Sequence, residues 1–139
     1  MRTFAVALLI FAAVPGAHAG EQTETAAKDF ITLCTNCHGV SGTGDGPMAK
    51  SLRHKVSDLT RIAARNGGVF PEDHVFETIA GLSMPDAHGN REMPVWGDLF
   101  VTAEIGASTK LEDAMKASDH AAQRIVGLVR YIEQMQVKP

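Results

Sequence analysis

Apolar residues recur at three- and four-residue steps along most of the chain, and alternating apolar–polar runs of the kind that build half-buried strands are absent. The clearest stripe lies near the C-terminus, where Ala121, Ile125, Leu128, Val129, Ile132 and Met135 share one face. Ser118 or Asp119 can cap it, so a helix is expected over 119–136. Ala27, Phe30, Ile31 and Cys34 form an earlier stripe, which predicts a helix over 24–37. Between the two, Ser57-Asp58 can cap a short helix that stops at Asn66-Gly67-Gly68. Pro71, Glu72 and Asp73 start another, with Val75, Phe76 and Ile79 on one face and Gly81 as its stop. Gly39, Gly42, Gly44, Gly46 and Pro47 forbid regular structure. Residues 82–97, which contain two Met-Pro pairs, read as loop, and Thr109-x-x-Glu112 fits a capping box. The fold class expected is all-α.

The first residues follow a different pattern. Arg2 is a short positive leader, Phe4 to Val14 is an unbroken apolar run, and Pro15-Gly16 breaks it before Ala17-His18-Ala19. That order matches a secretory signal peptide cleaved after Ala19. The run is too short to span a bilayer, which takes about 20 apolar residues. The expected organisation is a signal peptide over 1–19 and a single domain over 20–139, with no membrane span. The destination expected is a compartment outside the cytoplasmic membrane, most simply the bacterial periplasm.

Only two cysteines occur, and both lie in Cys34-Thr35-Asn36-Cys37-His38. This is C-x-x-C-H, the attachment sequence for a c-type haem: two thiols add to the two haem vinyl groups, and the adjacent His ligates the iron. A redox dithiol, a disulfide or half a zinc site would also use C-x-x-C. A zinc site needs two more ligands and there is no second Cys pair. A thioredoxin-like dithiol calls for strand–helix alternation, which is missing. Neither rival requires His at the next position. One covalent haem c, held by Cys34 and Cys37, is therefore expected. Bacteria attach haem to this sequence outside the cytoplasmic membrane, so the motif and the leader agree. Aromatic residues make up only 6% of the chain, and a haem would supply part of the apolar core they leave short.

These parts resemble the class I cytochromes c over most of the length after Ala19. In that family a helix leads into C-x-x-C-H, a C-terminal helix crosses it, and a Met from a late loop completes the iron. The resemblance implies a cytochrome c fold with the crossing made by Ala26 or Ala27, Phe30 and Tyr131. It also implies that His38 ligates iron through one ring nitrogen and donates the other N–H to the carbonyl of Pro47, after the glycine-rich loop. For the second axial ligand, Met48 is close to the attachment site, while Met115 and Met135 lie in helical patterns and read as core. Met93 and Met84 remain, each before a proline that stiffens its loop. Met93-Pro94-Val95-Trp96-Gly97 is more similar to the family's ligand loop, so Met93 is the expected ligand and Met84 the alternative. Among the histidines, His88 alone shares that loop; His54 lies in a basic stretch, and His74 and His120 read as surface. Trp96 can bond a haem propionate or line the pocket wall.

Iron held by His and Met has no open position and its potential is raised by the thioether. The expectation is an electron carrier, not an enzyme, that passes single electrons between a redox donor and acceptor. Two alternatives share the motif: a haem subunit of a periplasmic dehydrogenase or oxidase complex, and a haem sensor or peroxidase with a labile sixth ligand. Removing residues 1–19 takes away Arg2 as their one charge, so the chain's −3 becomes −4 over 120 residues. Lys50, Arg53, Lys55, Arg61 and Arg65 stand against Asp58 alone over 46–70, a basic rim suited to steering an acidic redox partner. Leu99, Phe100, Val101 and Ile105 can form a docking surface or cover the haem. The overall balance is not basic, and no nucleic-acid partner is expected.

Overall fold

The computed structural model describes residues 17–82 and 93–137. These hold helices and turns and no strand, as an all-α chain should. The apolar run Phe4 to Val14, Met84 and His88 lie outside the described residues. Helix α1 (Ala17–Asp29) continues through a π-helical turn (Phe30–Cys34) into α2 (Thr35–His38). After 3₁₀ turns at Ala49–Ser51 and Leu59–Arg61 come α3 (Ile62–Arg65), α4 (Glu72–Ala80), α5 (Trp96–Ile105) and α6 (Leu111–Gln134). Among the described residues no helix is long and apolar enough to cross a membrane.

Short-range signals acted where expected. The Asp58 carboxylate accepts the Thr60 N–H at 2.9 Å and the Thr60 hydroxyl at 2.6 Å, starting the turn into α3. Glu72 and Asp73 sit in the first turn of α4, where the helix dipole favours negative charge. Gly81 ends α4 in the left-handed conformation, φ +86°, its N–H bonding the Glu77 carbonyl at 2.9 Å.

Three boundaries differ from the expectation. The first helix begins earlier than residue 24 and contains a π turn. The loop expected over 82–97 ends at Val95, because α5 starts at Trp96 without any side-chain cap. Packing sets that start: Phe100 is buried, and Gly97 backs so closely onto α4 that a Cβ there would stand 2.6 Å from the Ala80 carbonyl. Finally, α6 starts at Leu111, not near Asp119, and is 24 residues long. Ahead of the expected start the helix buries only Ala117, a single small side chain that makes no stripe in the sequence. The capping role falls on neither Thr109 nor Ser118 nor Asp119. Ser108 accepts the Lys110 N–H at 3.3 Å and donates to Asp113 at 2.5 Å.

Helix α6 is the spine, packing against α1, α4 and α5. Phe30, Val75, Ile79, Phe100, Ile125 and Leu128 form the core around it. At the α1–α6 crossing the small residues are Ala26 and Gly127. A Cβ on Gly127 would stand 3.5 Å from the Ala26 Cβ, an ordinary van der Waals contact, so the two helices meet here through small residues. Phe30 and Tyr131 pack beside them with ring centroids 5.3 Å apart, tilted by 47°. Arg124 of α6 adds a polar tie, its Nε and Nη2 donating to the two carboxylate oxygens of buried Asp29 at 3.0 and 2.7 Å. That pairing holds the guanidinium above its usual pKa.

Candidate functional site

Past His38 a helix leaves four carbonyls without intrahelical partners. Here the glycine-rich loop satisfies all four. Gly39 N–H bonds Thr35 O at 2.9 Å, Met48 N–H bonds Asn36 O at 2.9 Å, Gly46 N–H bonds Cys37 O at 3.1 Å and Gly44 N–H bonds His38 O at 2.8 Å. Such a close wrap leaves no room for a side chain at Gly46, where a Cβ would meet the Asn36 and Thr35 carbonyls at 2.5 Å. Gly44 is equally constrained, with φ +82° and the Val56 carbonyl 2.6 Å from where its Cβ would be. The loop then returns under the motif, held by the Leu59 N–H on the Gly42 carbonyl at 2.7 Å.

That return corrects the role expected of Pro47. His38 Nδ1–H donates to the carbonyl of Ser57, at 3.0 Å. Pro47 is exposed, in a turn closed by the Ala49 N–H on the Gly46 carbonyl. Residues 39–48 are used in capping the helix end, so the carbonyl beneath the ring comes from the next stretch. A carbonyl can only accept, which places the proton on Nδ1 and leaves Nε2 with a free lone pair. Burial lowers the His38 pKa, with the Ser57 bond opposing it, so the ring favours its neutral form.

Cys34 and His38 face a cavity of about 320 Å³. Ser57, Leu59, Ile62, Arg65 and Asn66 line one side of it. Pro71, His74, Val75, Thr78 and Ile79 come from α4 and its approach. Met93 and Trp96 line it from the start of α5, and Leu128 and Ile132 of α6 complete it. The lining is mostly apolar, with Arg65 as its one permanent cation and no carboxylate among the described lining residues. Cys37 lies one helical turn beyond Cys34; both are half-buried free thiols. Burial, then the negative charge of Asp29 and then Cys37, push the Cys34 thiol up to about 12.

The π turn makes this convergence physical. Ala26, Phe30, Cys34 and His38 are four residues apart in sequence. In a straight α-helix each such step drifts about 40° around the axis, so His38 would point well away from Ala26. The wider π turn between Phe30 and Cys34 drifts the other way and cancels part of this. Ala26 and Phe30 can thus face α6 while Cys34 and His38 still face a cavity that α6 also lines.

Of the expected residues, Met93 is half-buried against the core and in the cavity wall. Trp96 lines the wall as well. Met115 is not core but 62% exposed, and Met48 is exposed; Met135 packs against the core. His54 and His120 lie away from the cavity lining, His120 being 3.7 Å from Glu104. His74, expected on the surface, is exposed but also lines the cavity. Within the basic stretch only Arg65 does so, its Nη2 donating to the Asp58 carbonyl at 2.8 Å. Phe100 and Val101 belong to the packing, while Leu99 is 49% exposed. Sequence reasoning missed Ser57, Arg124 and Gly127. For the last two the signal was weak but present: a basic residue and a glycine inside the strongest apolar stripe.

No family model, curated protein or solved structure matches this chain.

Proposed function

We propose that the chain is an exported electron carrier with the cytochrome c fold, holding one covalent haem and exchanging single electrons with a redox donor and acceptor. One observation carries this reading: Cys34 and His38 of the C-x-x-C-H sequence share an apolar cavity with Met93, the residue expected to complete the iron. A haem bound there supplies a one-electron ferric–ferrous couple whose potential a thioether ligand raises. The residues fit such a group. Cys34 and Cys37 offer free thiols one turn apart for its attachment. Ser57 holds the His38 ring through Nδ1–H, so that Nε2 would be the nitrogen to ligate iron. Met93 is fastened between the core and the cavity. Leu59, Ile62, Val75, Ile79, Leu128 and Ile132 keep water from the centre, and Arg65 offers a cation to an acidic edge.

A test is expression of the full chain in a bacterium that attaches haem to exported proteins. The expected product is shortened by residues 1–19 and keeps its haem through denaturing electrophoresis. A chain that gives up all haem on denaturation overturns the reading. A second reading places the same centre in a permanent complex with a dehydrogenase or oxidase. Exposed Leu99 on α5 and Leu111 and Met115 on α6 favour it. Gel-filtration mass and co-purification separate the two.

A further inference from the structure

The two sides of the cavity belong to different parts of the chain. Cys34 and His38 follow directly from α1 through the π turn, five and nine residues after Asp29. Met93 stands three residues before α5, the helix that carries Phe100 and Glu104. One side chain touches both parts. Arg124 forks onto Asp29 through Nε and Nη2, its guanidinium carbon lies 4.0 Å above the centre of the Phe100 ring, and its Nη1 is 3.9 Å from Glu104.

We propose that Arg124 is a positioning residue that sets the Met93 side of the cavity against the Cys34–His38 side. The inference rests on the haem reading above. Its physical basis is that a guanidinium is planar. The fork on Asp29 fixes that plane relative to α1, and the same plane's face is taken by Phe100 of α5. Turning either helix about α6 loses one contact or the other. The ion pair is partly buried, with the Arg124 side chain 28% exposed, and a pair taken out of water is often matched or bettered in stability by apolar side chains of the same volume. The α1–α6 crossing is already made by Ala26 on Gly127 and Phe30 on Tyr131. What the ion pair adds is a fixed orientation between two helices that carry opposite walls. Arg124 itself lies outside the cavity lining, so its influence passes through α1 and α5.

The test uses the haem-loaded chain and reads how firmly Met93 holds its place. Carbon monoxide binds ferrous iron only when the sixth ligand lets go, so its binding rate reports that hold. In Asp29→Leu/Arg124→Met, which keeps volume and drops both charges, thermal stability is retained. Carbon monoxide binds about ten-fold faster, the effect of a modest loss of positioning. Arg124→Lys keeps the charge but loses the fork, and shifts the rate in the same direction; it carries the test alone should the double variant not accumulate. Val129→Ala, a buried residue away from the cavity, lowers stability without changing the rate. Unchanged carbon monoxide binding in variants that hold haem overturns the role of Arg124 alone. A parent protein without covalent haem overturns the reading beneath it, and shows this before any variant is made.

Discussion

The two walls of the cavity are built by different means. The wall carrying Cys34 and His38 is a backbone construction: four helix-end carbonyls taken by loop N–H groups, glycines where a side chain would collide, and a Ser57 carbonyl under the imidazole. The wall carrying Met93 and Trp96 is a side-chain construction, resting on α5 packed against α6 and α4 and on the contacts of Arg124. Hydrogen-bonded backbone holds a group at one place. Packed side chains hold a group through the fit of the helices around it. Changes in the first wall should therefore act on attachment and on His38, and changes in the second on the sixth ligand.

The largest effect separates the walls outright. Cys34→Ser/Cys37→Ser should abolish haem that survives denaturation, measured by haem staining, while Met93→Ala leaves attachment complete. Next is the shared foundation. Phe30 is 1% exposed and touches Tyr131, and Phe30→Ala should cost about 3–5 kcal/mol in denaturant unfolding. Retention of full stability would mean that the α1–α6 crossing does not anchor the motif.

A smaller effect tests the loop wrap. Gly46→Val places carbons against the Asn36 and Thr35 carbonyls and should cost about 1–3 kcal/mol. It should also disturb the His38 environment more than the sixth ligand, seen as a shifted proton resonance of the imidazole N–H. The smallest effect concerns pH. In the haem-free chain, the folded state raises the Cys34 thiol from 9.0 to about 12. The folded chain then keeps a proton that the unfolded chain gives up. This contribution to stability is whole below pH 9 and is lost as pH rises towards 12. Cys34→Ser should flatten that alkaline decline in thermal midpoint.

How much of this was readable depends on the span of each interaction. The Asp58 cap and the Gly81 stop act within a few residues, and the sequence alone placed both. The motif is equally local. Ser57 was not readable, because its role depends on where a loop returns 19 residues later. Arg124 and Asp29 are 95 residues apart, and only the fold makes them partners. The start of α5 has no side-chain cap to announce it, and the first turns of α6 bury only Ala117, which leaves no periodic signal. The choice of Met93 came from its Met-Pro-x-x-Gly setting; Met93 lines the cavity with Cys34 and His38, and Met84 lies outside the described residues.

The central proposal is that His38 and Met93 would both ligate the iron of one bound haem. The most direct measurement is the thioether-to-iron absorption of the ferric protein, compared between the parent chain and Met93→Ala. The band should be present in the parent and lost in the variant, with covalent haem unchanged in both. A band that persists in Met93→Ala would contradict the claim and move the ligand to Met84.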